Sequence, residues 1–475
     1  MISDKSIKLF KKVAKEIPAY SAFLAEHHLK PADISSPKDF YKVPLTSKKN
    51  YLVPNALQDL VWKNDFNNLM LFCSTSGSTG KPYYFPRNEE LSLQYSYVIE
   101  DFLKYSSYGK GPTLVLIGFG MGVWIGGIIT LRAFEIAAAR MNQPVSILPA
   151  GYNKKELFKA LQELSPNFEQ TVIVGYPPFI KELIDEASQA DLNLAKLQIR
   201  LLSAAEAFTE TFRKYVCENG GVQDPILDTM NIYGTADIGA MAYETPLSIL
   251  ARRLIIEDPV LFKDVFRQIE KTPTLAQFNP DFIEFEEVNG ELALTGNAAL
   301  PLIRYAVGDH GGVISYNEMM TKLKSYNINL EAEVKKYGIG HTVKKHPFVF
   351  VYERTDFAAT LHGIIIYPEF IKEGLLKPKM GRYFTERFTM STKTDVRHNQ
   401  FLQINIELQP GLEGSEEIEK IACKAIRTSL IEKSSEFAEI SKSKDSDQLI
   451  QVVLWPNGHE RYFAAGIKQK WVEKS

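Results

Sequence analysis

Thr113-Leu-Val-Leu-Ile117 runs into Gly118-Phe-Gly-Met-Gly122 and then into an apolar segment from Val123. The whole stretch from Gly111 to Leu131 carries no charge, and ~20 apolar residues would be long enough to span a bilayer. Its six glycines and Pro112 argue against a spanning helix. The β-branched run followed by clustered glycines reads instead as a buried strand, a glycine turn and a helix from about Val123. The same grammar repeats downstream. Val145-Ser-Ile-Leu148 is strand-like, and after Gly151 the residue Asn153 is placed to cap a helix with Leu157, Leu161 and Leu164 on one face. Thr171-Val-Ile-Val174 leads through Gly175-Tyr-Pro-Pro178 to a helix with Ile180, Leu183, Ile184 and Ala187 on one face, Pro178 suiting its first turn. Ile199-Arg-Leu-Leu202 runs into Ser203-Ala-Ala-Glu206, and a strand over Ile226 to Ile232 ends in a polar glycine loop, Tyr233-Gly-Thr-Ala-Asp237.

Alternating strands and helices predict an α/β fold whose sheets are mostly parallel and flanked by helices. Open α/β sheets place ligands at the carboxyl ends of their parallel strands, so these polar loops are expected to share one cleft. Outward from this centre, Ile7, Phe10, Ala14 and Ile17 share a face among five lysines, the pattern of an amphipathic packing helix and not of a secretory signal. Residues 251–345 are mixed, with Glu-rich strand-like segments over Phe282 to Leu294 and a Lys-rich helical segment over Met319 to Lys336. The last ~120 residues change character: Phe401-Leu-Gln-Ile-Asn-Ile-Glu-Leu408 and Leu449-Ile-Gln-Val-Val-Leu454 alternate in polarity around a helix from about Glu416 to Glu432. The expected division is a large domain over 1–352 and a small α+β domain over 353–475.

The 475 residues are 45% hydrophobic and 24% charged, which excludes a disordered or fibrous chain. A net charge of −2 offers no basic excess for nucleic acid or an anionic membrane surface. Cys73, Cys217 and Cys423 are few and far apart, so neither a disulfide framework nor a cysteine zinc site is expected, and a reducing, cytoplasmic compartment is. No HExxH appears and the eight histidines have no ligand spacing.

The strongest local signal is Cys73-Ser-Thr-Ser-Gly-Ser-Thr-Gly-Lys-Pro82. Ser, Thr and Gly let the backbone bend close to a phosphate and present donors to its oxygens, and the lysine adds a point charge. Such a tract is also the composition of a flexible linker, but the apolar Leu69-Met-Leu-Phe72 before it and the Lys-Pro ending favour a phosphate cradle. It is not a Walker A loop: Thr75 stands where the first Gly belongs and Pro82 where the magnesium-binding hydroxyl belongs.

Ser74-Thr-Ser-Gly-Ser-Thr-Gly-Lys-Pro82 resembles the phosphate loop of the adenylate-forming superfamily, and further matches follow in that family's order, closest to its phenylacetate–CoA ligase branch. Gly118 to Gly127 is similar to the branch's glycine-aromatic substrate segment, Ser203-Ala-Ala-Glu-Ala207 to its Gly-Ala-Glu-Pro turn, and Tyr233-Gly-Thr-Ala-Asp237 to its Tyr-Gly-x-Ser/Thr-Glu loop. Pro301-Leu-Ile-Arg-Tyr-Ala-Val-Gly-Asp309 resembles the Pro-Leu-Ile-Arg-Tyr-x-x-x-Asp strand, and Glu353-Arg-Thr-Asp356 the crossover between domains.

The resemblance implies that Ser76, Gly77, Ser78, Thr79, Gly80 and Lys81 hold the β and γ phosphates of ATP, with Ala205, Glu206, Gly234, Thr235 and Arg354 also on the nucleotide. Tyr233 would stack on adenine, Asp309 would accept from the ribose hydroxyls, and Asp237 would hold Mg²⁺, a hard cation that prefers oxygen. The acid would sit among Phe119, Gly120, Trp124, Tyr176, Ala204 and Gly239, although aromatic residues at strand ends are also ordinary core. Gly466-Ile-Lys-Gln-Lys-Trp-Val472 resembles the family's ending with the catalytic lysine, Lys468 with Lys470 as rival, and Asp356 aligns with the hinge on which the mobile small domain turns. The implied activity is ATP-dependent formation of an acyl-adenylate from an aryl acid such as phenylacetate, followed by thioester formation with CoA. Transfer to an acyl-carrier or protein thiol, a non-catalytic nucleotide-binding role, and a homodimeric state stay open. The sequence departs from the family at Ala236, where a Ser or Thr touches phosphate, at Asp237 in place of Glu, and at Phe357 in place of the crossover's second Asp.

Overall fold

The computed structural model describes residues 2–472 apart from 65, 68, 75–82, 123–124, 152, 206, 268–271, 353–358, 362–363, 395–399, 435–436, 439–440, 442–448 and 465–470. A short strand, Thr46–Ser47 (β1), and a hairpin of Leu71–Ser74 (β2) with Tyr84–Arg87 (β3) precede the α/β region. There the apolar runs become Thr113–Ile117 (β4), Val145–Leu148 (β5), Gln170–Gly175 (β6), Ile199–Ala204 (β7) and Thr229–Thr235 (β8), aligned in parallel in the order β5-β4-β6-β7-β8.

Both faces of the inner strands β4, β6 and β7 are largely apolar because both are covered. Val115, Ile117, Val172, Val174 and Leu202 point to Ile99, Phe102, Phe134 and Ala137 of helices Glu89–Lys104 and Ile125–Met141. The alternate residues Leu114, Leu116, Ile173, Ile199 and Leu201 meet Leu157, Leu161, Leu183, Ile184 and Val216 of helices Lys154–Glu163, Pro177–Gln189 and Glu210–Gly220. Asn153 caps the first of these three, accepting from the Glu156 N–H at 3.2 Å, and prolines open the second. The uncharged stretch around Gly118 is thus a strand and a helix inside this sandwich. No helix of the described residues is long and apolar enough to cross a membrane.

The sheet continues antiparallel through Gly239–Tyr243 (β9), Thr274–Gln277 (β10), Ile283–Val288 (β11), Glu291–Gly296 (β12), Leu302–Ile314 (β13) and Phe348–Tyr352 (β14), so the large sheet is mixed and twelve-stranded among the described residues. The amphipathic first helix, Asp4–Glu16, lays Phe10 and Val13 on the face of this half that carries Phe285, Leu294 and Tyr305. Two sequence expectations shift. The fourth strand starts at Thr229 and not Ile226, and Tyr233 to Thr235 are its last residues, not a loop, because they pair with Ala242, Ala240 and Gly239 of β9.

After the small hairpin Ala359–Leu361 (β15) and Ile364–Ile366 (β16), a separate sheet forms from Phe384–Thr394 (β17), Gln400–Leu408 (β18) and Ile450–Trp455 (β19). β18 and β19 are parallel, which requires a crossover, and helix Glu416–Lys433 lies in that crossover with Ile426 and Leu430 packed against Leu402, Ile404 and Val452. This C-terminal sheet touches the large unit at helix Pro177–Gln189, where the Lys181 ammonium sits 2.7 Å from Glu386 of β17 with both side chains inaccessible to solvent.

Candidate active site

Four parallel strands end side by side. Register pairs Ile117 with Val174, Gly175 with Ser203, and Ala204 with Ile232, so the residues that follow them open at one edge of the sheet. Phe119, Gly120, Tyr176, Ala204, Ala205, Tyr233, Gly234 and Thr235 all lie at this edge, and Gly239 faces Thr235 across the β8–β9 turn. Glycine is required at two of these places. A Cβ at Gly118 would lie 2.2 Å from the Phe179 ring, and one at Gly234 would lie 2.6 Å from the Gly239 carbonyl oxygen, which is backbone and cannot yield. Ala205 holds φ at +73°, a left-handed conformation that costs a non-glycine residue about 1–3 kcal/mol and concentrates at functional sites.

Phe119 is buried in the core beneath the edge, with its ring edge-on to the half-buried Tyr176 at 5.0 Å. Trp124, Ser76 to Lys81, Glu206, Arg354, Asp356 and Lys468 with its rival Lys470 lie outside the described residues. The ends of the segment that carries the two lysines are nevertheless held on the small sheet. The Phe463 carbonyl accepts from Arg387 at 2.8 Å, and beyond it the Met390 N–H donates to the Trp471 carbonyl at 2.7 Å.

The polar groups gather on the β8–β9 hairpin and the facing β13. Tyr233 Oη donates to Asp309 Oδ2 at 2.6 Å although the two are 76 positions apart, and the Tyr233 ring tilts over Phe285. Beside them Tyr305 Oη donates to Asp237 Oδ1 at 2.6 Å. Burial, and then the nearby Asp237 charge, push the Tyr83 hydroxyl up to about 12, so it stays a neutral donor. Thr235 Oγ1 is buried with no hydrogen-bond partner among the described residues. A buried hydroxyl at this edge is available to an external polar group. No cluster of three or more His, Cys, Asp or Glu occurs among the described residues, so no cage made of protein ligands alone gathers there. A single carboxylate, Asp237, fits Mg²⁺, which takes one or two carboxylates and fills its octahedron with water and substrate phosphates.

Three contributors had no role assigned from the sequence. Arg87, the last residue of β3, donates through Nη1 to the Asp237 carbonyl at 3.2 Å and through Nη2 to the Ala236 carbonyl. A lone arginine ending the aromatic run Tyr83-Tyr-Phe-Pro86 was its only signal. Tyr305 and Arg304 lay inside the Pro301–Asp309 match without assigned roles. Arg304, buried with φ +44°, forks onto Glu286 at 2.7 and 2.8 Å and donates to the Tyr41 carbonyl, which ties β13 to β11 and the N-terminal segment and so places Tyr305 and Asp309.

A parallel sheet with these polar groups at its carboxyl edge, an antiparallel extension and a small C-terminal α+β unit make up a fold shared with solved structures. Crystal structures of 2-hydroxyisobutyryl-CoA ligase share it: the postadenylation state with R3-HIB-AMP has a TM-score of 0.65 at 14% identity, covering 99% of this chain and 89% of that one. The thioesterification state with 2-HIB-AMP and CoA has a TM-score of 0.54 at 15% identity, covering 99% and 88%. No protein-family model and no curated protein matches the sequence.

Proposed function

We propose that the protein is an AMP-forming acid–thiol ligase that converts a carboxylic acid and MgATP to an acyl-adenylate and pyrophosphate, then passes the acyl group to CoA. The observation that carries this reading is the meeting of Tyr233, Asp309, Asp237 and the buried Thr235 hydroxyl at the carboxyl edge of the parallel strands. The ordered motifs and the shared fold with 2-hydroxyisobutyryl-CoA ligase, whose structures hold acyl-AMP and CoA, support it.

In this reading the Tyr233 ring packs on adenine and the acceptor-only carboxylate of Asp309 takes both ribose hydroxyls. Asp237 holds Mg²⁺, which neutralises phosphate charge. Thr235 donates to a phosphate oxygen, the contact for which Ala236 has no group. Residues 76–81 cradle the β and γ phosphates, with Ala205, Glu206, Gly234 and Arg354 completing the nucleotide contacts. Phe119, Gly120, Trp124, Tyr176, Ala204 and Gly239 frame the acid, an aryl acid such as phenylacetate suiting the aromatic surround. Lys468 bridges carboxylate and α-phosphate, where a preorganised cation is worth 10²–10³-fold in rate. The small domain, 353–475, turns at Asp356 between the two half-reactions.

The test is ATP–pyrophosphate exchange over a panel of aryl and alkyl acids, with Lys468→Ala alongside. Acid-dependent exchange lost in Lys468→Ala supports the reading. Loss in Lys470→Ala alone moves the alignment of the tail by two residues. Nucleotide binding without exchange for any acid would make the chain a non-catalytic nucleotide-binding protein.

A further inference from the structure

Arg87 is a buried arginine, 3% exposed, whose Nη1 and Nη2 donate to two successive backbone carbonyls, with the Cys73 side chain also beside the guanidinium. Both carbonyls, of Ala236 and Asp237, belong to the turn between Thr235 and Gly239, outside the β8–β9 ladder, so no strand partner fixes them. A planar guanidinium spans two acceptors at once, which a lysine ammonium cannot do in a fixed geometry. From the other side the Tyr305 hydroxyl holds the Asp237 carboxylate. The backbone of the turn is thus set by one residue and the carboxylate by another. Arg87 also ends the strand that follows the Ser/Thr/Gly segment: β3 pairs with β2, and residues 75–82 join the two in sequence.

We propose that Arg87 is a positioning residue that fixes the backbone of the Asp237 turn for the divalent cation of MgATP. The inference rests on the assignment of Asp237 to the cation made above. Burial pulls the guanidinium below its ordinary value, against the opposing influence of Cys73 and Asp237, yet arginine stays protonated, and its fork onto the carbonyls is available at every working pH. Because the fork and not the charge does the positioning, Arg87→Lys keeps the charge but loses the function.

The test is calorimetric titration of the full-length protein with ATP, in Mg²⁺ and in EDTA, for the wild type, Arg87→Met, Arg87→Lys and Asp237→Asn, with melting temperatures taken in parallel. Groups that orient a metal ligand typically change metal affinity 10–100-fold. The wild type is expected to bind ATP more tightly in Mg²⁺. That gain falls about tenfold or more in both Arg87 variants while ATP affinity in EDTA stays within about twofold. Arg87→Lys fills nearly the same space and carries the test if Arg87→Met does not fold. A Mg²⁺-dependent gain preserved in Arg87→Lys overturns the proposal. If Asp237→Asn also keeps the gain, or the wild type has none, the assignment of Asp237 itself is what fails.

Discussion

Asp309→Ala is expected to weaken ATP binding by about 10²–10⁴-fold while acid binding changes little, because the ribose loses two hydrogen bonds to a charged acceptor at about 1.5–3 kcal/mol each. Asp309 is only half-buried near the middle of a long strand whose Arg304–Glu286 pair and ladder partners persist in the mutant, so the melting temperature should move little. Two controls separate the carboxylate from its neighbour. Tyr233→Phe removes the hydroxyl that donates to Asp309 at 2.6 Å but keeps the ring, and should cost far less than the alanine. Asp309→Asn keeps one acceptor oxygen and should fall between. Equal ATP affinity in wild type and Asp309→Ala would remove Asp309 from the nucleotide site.

The second large effect lies at the seam between the two units. Lys181, 1% exposed, reaches Glu386 at 2.7 Å and Asp185 at 2.8 Å, and its ammonium stands 5.3 Å from the centre of the Tyr215 ring. Burial alone would lower its pKa, but these two carboxylates hold it well above its ordinary value. Lys181→Met should cost about 3–5 kcal/mol, the usual penalty for leaving a buried charge, here Glu386, without its partner. Adding Glu386→Met to Lys181→Met should recover most of the loss, since replacing a buried ion pair by apolar side chains of similar volume is often close to neutral. Urea unfolding of the wild type, both singles and the double decides it. A Lys181→Met loss under about 1 kcal/mol would mean that the pair contributes no more than a surface salt bridge.

Much of this was legible in the residues, for physical reasons that also explain the rest. Strands β4 and β6 sit between helices that bury both faces, so each leaves a continuous apolar run ending at a glycine, and Asn153 marks a helix start by composition alone. Of the polar loop read at Tyr233–Asp237, Ala236 and Asp237 do form the turn; Tyr233 to Thr235 are strand through pairing with β9, which local composition does not carry. The antiparallel half hid for a similar reason: its order is set by long-range pairing, as where Thr274 meets Val351. In the site, the glycines, Tyr233, Asp237 and Asp309 stood in motifs. Arg87 acts across 149 and 150 positions, and Ala205 holds a conformation that alanine does not advertise.

The most direct test of adenylate chemistry follows the oxygen. The protein is incubated with MgATP, CoA and the acid that best supports exchange, its carboxylate labelled with ¹⁸O, and the phosphorus products are weighed by mass spectrometry. Attack of the carboxylate on the α-phosphorus, followed by thiol attack on the acyl carbon, leaves one acid oxygen on the departing AMP. The account predicts AMP carrying one ¹⁸O and unlabelled pyrophosphate; label in inorganic phosphate with release of ADP would mean an acyl-phosphate route and would contradict it.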